Sequence, residues 1–414
     1  MDRYLVLCSR VVTCDPACSS PDNRLGVLHD AGVLVEADRI AAVGSRAQLL
    51  AQARDARVLD DSAGRVMTPG LVDAHTHLAW AGSRHDEYVL RMQGAGYEAI
   101  AAAGGGIVSS MRAVRAASQW ALTAAMRSRL RRMASLGVTT CEIKSGYGLD
   151  LPSERKQLRA IAEAASDTGL PRVIPTWLAL HALPPEGQDD RAAWVRRVAE
   201  RWVDEIAGDG LAKYVDAYID RSAFSVEEAK PVFERARAAR LGVRAHIGQF
   251  ADVGGAELAA SVGAASVDHL EHVAASGLEA LAKSGTRAVL LPVASFTLRQ
   301  APPPIQAMRD AGVPIVVASD ANPGTAPTES LALALAFALH TYGLTPEECL
   351  LGATREAAAS LGLEGTCGRL AAGLSADFVV WDLPHERAIL QPWGSPMTHR
   401  VVGRGRLLHS APVS

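Results

Sequence analysis

His75 and His77 flank a single threonine at the end of the apolar run PGLVDAHTH. Successive side chains on an extended strand point to opposite faces, so these two imidazoles share one face and can grip one ion. A pair of satisfied core histidines would read the same way, and the motif alone does not decide. Lys144, His181, His246, His269 and Asp320 lie far along the chain, each breaking or closing another apolar stretch. Burying several imidazoles and a carboxylate without partners is expensive, whereas a divalent cation among them offsets that cost. Three imidazoles plus one carboxylate suit Zn2+ or another borderline first-row ion such as Fe2+. Water on such an ion has its pKa lowered to about 7, which supplies a nucleophile at neutral pH. Asp320 can orient that water, accept its proton and pass it to a leaving nitrogen, while His269 is placed to polarise the attacked carbonyl oxygen.

Residues so distant in sequence need a scaffold that gathers them. Eight strand candidates follow one another at 70–77, 138–146, 173–181, 213–220, 242–248, 265–272, 287–294 and 314–320. Between them lie amphipathic stretches such as QWALTAAMRSRLRRMASLG, with apolar positions at helical spacing and Gly137 as a helix stop. Strand and helix alternating in this way predict an α/β fold, a (β/α)8 TIM-like barrel. A doubly wound open sheet competes, but it expects a glycine-rich phosphate turn after an early strand. The glycines at 104–106 lie too far from the preceding strand and read instead as a loop near the barrel mouth. In such a barrel chemistry collects at the C-terminal ends of the strands, which is where the candidate residues fall. The two ends of the chain differ, with short β runs and turns at 1–65 and again at 361–414. We expect them to pair into a small β-sandwich domain flanking a barrel at 66–360.

Composition narrows the function further. Hydrophobic residues make up 49% and charged residues 21%, which places the chain among globular rather than disordered proteins. A net charge of −3 lacks the basic excess of a nucleic-acid binder, and no such partner is expected. The start, MDRYLVLCSRVVTCD, has no long apolar core of a signal peptide. The run LALALAFAL covers about half of the ~20 residues a membrane span needs. A cytoplasmic enzyme is expected, with no membrane partner. Six cysteines, with Cys14 and Cys18 unmatched by a second pair, read as free thiols.

The stretches PGLVDAHTHLAWAGSR, RMQGAGYEAIAAAGGGIVSSMRAVRAAS, EIKSGYGLDLPSE, SVDHLEH, SDANPGT and GRLAAGLSADFVVWD together resemble the metal-dependent amidohydrolase superfamily, and within it the imidazolonepropionase family of histidine degradation. The histidine pair alone is a weak motif; EIKSGYGLD and DANPGT in this order are specific. The resemblance implies hydrolysis of 4-imidazolone-5-propanoate to N-formimidoyl-L-glutamate, and a homodimer is common among relatives. It implies His75, His77, His246 and Asp320 as metal ligands. Arg84, Tyr147, His181, Gln249, Asn322, Gly324 and Thr325, with Tyr97 beside them, match positions that hold substrate or product. Arg84 offers a planar fork suited to the propionate. The turn Asn322-Pro323-Gly324-Thr325 exposes backbone groups that can cradle a carboxylate.

Two departures from the family pattern matter. Several relatives carry glutamate where this chain has Gln249, and a neutral amide is no general base, so Gln249 is expected to hydrogen-bond the ring. Strand 4 ends in AYID without the lysine that bridges two metals elsewhere in the superfamily, so one ion is expected. Lys144 is expected to support the loop carrying Tyr147. The rival reading is a nucleobase aminohydrolase on the same barrel; it needs an acid near the strand-5 histidine, where Gly248 and Gln249 stand. A non-enzymatic scaffold would lack ligands, and none is missing.

Overall fold

The structure, a computed structural model, describes residues 3–94 and 105–412. Tyr97 and Gly104 lie outside the described residues. Eight parallel strands run in strict chain order: Leu71–Asp73, Val138–Lys144, Arg172–Leu180, Tyr214–Ile219, Gly242–Ile247, Ser266–His269, Arg287–Leu290 and Ile315–Val317. The last and first strands are joined by a parallel bridge between Thr76 and Ala321. His77 N–H donates to the Ala321 carbonyl at 3.0 Å, and Asp320 N–H to the His75 carbonyl at 3.1 Å. The barrel therefore closes on the segment that carries the HTH motif.

Period-two alternation sorts every strand into two faces. Val243, Ala245 and Ile247 join Val215, Ala217, Ile219, Val267 and Leu290 in the core beneath the surrounding helices. The opposite parity faces the barrel axis. At one level it is apolar, built from Val72, Ala74, Ile174, Tyr214, Val289, Leu291, Val316 and Ala318. Another inward set is charged: Glu142, Lys144, Asp216, Arg244 and Asp268, all fully buried. That level departs from the usual filling of branched apolar side chains.

The helix after the first strand's long loop, Gln119–Ser135, starts at Ser118, whose hydroxyl accepts from Ala121 N–H. It stops before Gly137 at φ 98°, where the Trp381 ring lies so close that a β-carbon would meet it at 2.7 Å. Both the left-handed backbone and the close approach call for glycine. The predicted strand over 287–294 is shorter: pairing ends at Leu290, and Pro292 opens a helix to Leu298. Proline at a first helical turn has no N–H to lose, so an apolar run that reads as strand continues as helix.

The two ends pair as expected. Strands Arg3–Val12, Val27–Glu36, Arg39–Ser45 and Val66–Pro69 join Phe378–Trp381, Thr398–Gly403 and Arg406–Ser410 in one hydrogen-bonded path, and Arg57–Asp60 branches from it by pairing with Arg3–Val12. The path curls on itself, because Val6, Cys8, Val33, Ile40, Met67, Phe378, Val380 and Val402 share one apolar cluster although they come from strands far apart in the sheet. Leu5 and Leu7, of opposite parity, pack on Leu49 of the helix Arg46–Gln52. The half-buried Arg172, paired with the buried Asp377 at 3.0 Å, ties this domain to the barrel. All six cysteines are free. Among the described residues no helix is long and apolar enough to cross a membrane.

Candidate metal centre

His75 and His77 emerge just past the first strand, His246 lies on the fifth and His269 ends the sixth, while Asp320 follows the eighth. Potential ligand atoms of His75, His77 and His246 all lie within 4.8 Å of one another. Asp320 Oδ1 stands 3.4 Å from Nε2 of both His75 and His77. All four residues are buried. Asp320, at the closing seam, has φ 55°, and His269, at the end of the sixth strand, has φ 85°. Such values are rare for non-glycine residues and collect where a site over-determines the conformation.

Each inner histidine is aimed by a carboxylate behind it. Asp268 Oδ2 accepts from His75 Nδ1 at 2.7 Å, and Asp216 Oδ1 from His246 Nδ1 at 3.1 Å. With Nδ1 as donor, neutral imidazole presents its lone pair from Nε2. His246 Nε2 and His77 Nδ1 are buried without hydrogen-bond partners. The Nε2 atoms of His75 and His77 stand 3.2 Å apart; lone pairs brought so close repel unless a proton or a cation lies between them, so the donor set fits a divalent ion. The electrostatics agree. Burial and Lys144 press His75 toward neutrality, yet Asp268 and Asp320 outweigh them and raise it to about 9. The carboxylates thus call for positive charge at that nitrogen. Burial lowers His77, and it takes His246 down to about 3 despite Asp216. Burial works against the Asp320 anion, but His75 and His77 hold its carboxyl below the usual range.

A second group, Asp216, His246 and Asp268, also has ligand spacing. It already has its cation: Lys144 Nζ donates to Asp216 at 2.7 Å and to Glu142 at 2.9 Å, and lies 3.6 Å from Asp268. This corrects the expectation that Lys144 supports the Tyr147 loop; inward parity on the second strand turns its side chain to the axis. The loop is held instead by Glu154, which accepts from the backbone N–H groups of Gly146, Gly148 and Leu149 at 2.7–2.9 Å. Glu154 stands in the first turn of the helix Leu151–Ala165.

A cavity of about 560 Å3 opens over His77, His246 and Asp320. Arg84, Tyr147, His181, Gln249, His269, Asn322 and Thr325 line it, so the structure gathers these sequence-predicted residues in one place. His181 stacks on His77 at 5.5 Å and donates through Nδ1–H to the Gly146 carbonyl at 2.8 Å, with Tyr147 tilted beside it at 5.3 Å. Burial, with His77 and His246 nearby, lowers His181 well below its ordinary value, so it is neutral. Arg84 pairs with Glu87 at 2.7 Å, and its guanidinium packs over Gly324, where a β-carbon would collide with it. Gly324 therefore serves by leaving room.

The amide of Asn322 is taken up by its own turn. Its Oδ1 accepts from the N–H groups of Gly324 and Thr325, each at 2.8 Å, and its Nδ2 donates to the Asp320 carbonyl at 2.7 Å. The turn's backbone donors thus brace Asp320 rather than stand open. Gln249 Oε1 accepts from the Tyr218 hydroxyl at 2.7 Å, which leaves its NH2 to donate. Tyr218 is the strand-4 residue in register with His246. Sequence reading passed over it, along with Gln188, Arg191 and Ser222 of the cavity wall. Tyr218 carried a usable signal, since it shares parity with Asp216 on an alternating strand. Arg191 carried none: after Asp190 it reads as an ordinary helix start.

Residues 66–408 match the amidohydrolase family, and residues 31–56 match the bacterial imidazolonepropionase-like composite domain. The imidazolonepropionase of Paracoccus denitrificans is 46% identical over 380 residues, covering 91% of this chain and 94% of its own. That of Ralstonia nicotianae is 47% identical over 357 residues, covering 86% and 87%. Among solved structures, a zinc-complexed atrazine chlorohydrolase from Arthrobacter aurescens superposes with a TM-score of 0.72 at 17% identity, over 98% of this chain and 95% of that one. The last likeness is one of fold. Sequence, strand order and coverage agree that the chain belongs to the amidohydrolase family, among the imidazolonepropionases.

Proposed function

We propose that the chain hydrolyses 4-imidazolone-5-propanoate to N-formimidoyl-L-glutamate, with residues 66–360 as the catalytic barrel and the two ends as its supporting β domain. The observation that carries the reading is the convergence of His75, His77, His246 and Asp320 beneath a cavity walled by Arg84, Tyr147, His181 and Gln249. A single divalent ion, Zn2+ or Fe2+, would be held by those four side chains and would supply Lewis acidity and an acidified water. The fourth strand, Tyr214–Ile219, carries no lysine to bridge a second metal, which supports one ion rather than two.

The chain's own groups do the rest. Asp320, kept anionic by its two histidine neighbours, takes the water proton and delivers it to the departing ring nitrogen. His269, across the rim, donates to the carbonyl oxygen as charge builds there. Arg84 meets the propionate, with Thr325, Tyr147 and His181 beside it, and Gln249 donates its NH2 to the ring. Tyr97, matched to the same set by resemblance, lies outside the described residues.

The test is direct. Purified, metal-analysed protein is incubated with freshly made 4-imidazolone-5-propanoate and the product followed by mass. N-formimidoyl-L-glutamate formed at a catalytic rate supports the reading. Ammonia release from guanine or cytosine, with the imidazolone untouched, would replace it with the aminohydrolase reading.

A further inference from the structure

We propose that Lys144 is a positioning residue of the metal centre, because its buried ammonium locks the two carboxylates that aim His246 and His75. The inference rests on the metal-centre reading above. Asp216 divides its two oxygens: Oδ1 faces His246 Nδ1 at 3.1 Å and Oδ2 faces Lys144 Nζ at 2.7 Å. That division fixes the carboxylate's rotation and hence the direction of the imidazole. Asp268 Oδ2 stands 2.7 Å from His75 Nδ1 and 3.6 Å from the same ammonium. Among the described residues Lys144 alone is ion-paired with both orienting carboxylates.

Arg244 is no substitute. Its guanidinium donates to the backbone carbonyls of Ser360 and Ala74 and stands 3.7 Å from Asp268 and 4.0 Å from Glu142. Among the described residues its ion pairs are with Asp268 and Glu142 and not with Asp216. Glu142, the third carboxylate on Lys144, orients no histidine; its other oxygen accepts from Thr76 N–H at 3.2 Å. The cluster therefore offers a way to separate charge balance from positioning. Lys144→Met alone leaves three buried carboxylates against one guanidinium, whereas Lys144→Met with Glu142→Gln restores the original charge difference and leaves both orienting carboxylates in place.

The experiment measures thermal unfolding of the metal-free proteins and the zinc dissociation constant by chelator competition, counted per folded molecule. The double variant is expected to recover thermal stability over Lys144→Met. Its zinc dissociation constant should remain ~10–100-fold above that of the unsubstituted protein, the range seen when groups behind metal-bound histidines are changed. Zinc affinity within about twofold of the unsubstituted protein would overturn the proposal and leave Lys144 a stabiliser only. Should neither variant fold, the milder Lys144→Gln is measured against the same criterion; failure of all three to fold would equally reduce Lys144 to stability and overturn it. Unsubstituted protein that takes up no stoichiometric zinc would instead contradict the metal centre itself.

Discussion

The outer β domain and the barrel use one alternation rule for opposite ends. In the outer sheet, Tyr4, Val6, Cys8 and Val11 of Arg3–Val12 meet Phe378, Val380 and Val402 in an apolar interior. In the barrel, the inward parity at the level below the rim is Glu142, Lys144, Asp216, Arg244 and Asp268. The first arrangement gains from every methylene removed from water. The second desolvates five charges, and their mutual attraction at best roughly balances that loss. A protein folding for stability alone would fill the barrel as it fills the sheet. The charged layer is explained by what stands on it: two of its carboxylates hold the histidines that face the cavity.

The contrast can be broken from either side. The largest effect expected is from His246→Ala, which should abolish zinc retention and cut kcat/KM by ~10^3-fold or more. Metal analysis and turnover check it together, and a metal-replete, active variant would contradict it. On the other side, Phe378→Ala in the outer sheet should cost ~3–5 kcal/mol of stability. Its zinc affinity per folded molecule should be unchanged, which denaturant unfolding and chelator competition can show.

The closing seam sharpens the comparison through pH. Burial pushes the Asp73 carboxyl up to about 6, although Ser319 donates to it from both backbone and hydroxyl. The unfolded value is about 3.9. The folded state therefore binds this proton more tightly, so the contribution favours folding below the unfolded value and is lost as pH rises through the folded one. Relative to Asp73→Asn, the unsubstituted protein should lose up to ~3 kcal/mol between about pH 4 and 6. Urea titrations at stepped pH measure this; parallel curves for the two proteins would count against it. The smallest effect expected is Arg84→Ala, with KM for the propionate substrate raised ~10-fold and metal content intact. Steady-state kinetics on metal-analysed protein decide it.

Much of this was legible beforehand, for reasons that are physical. The alternation of β-branched runs with helical stretches follows from patterning alone, and the eight strands lie where that pattern puts them, save that Pro292 turns an apolar run into helix. The histidines stood out because imidazole is costly among strand-forming apolar residues. What remained hidden was competition for each polar group. Lys144, read from its sequence neighbours, belongs with the Tyr147 loop, yet parity sends it to Asp216. Asn322 reads as a ligand contact, while its amide is taken by Gly324 and Thr325 next to it. The parity of Tyr218 is readable, but its hydrogen bond to Gln249 on the next strand's loop is not. Pairings of that kind arise only when distant segments meet.

The metal centre is tested most directly by where one cation sits. Crystals soaked in zinc and measured at the zinc absorption edge should show a single anomalous peak at ~2.0–2.2 Å from the ring nitrogens of His75, His77 and His246 and from an Asp320 oxygen. A map with no peak among those four groups, or with the peak elsewhere in the barrel, would contradict it.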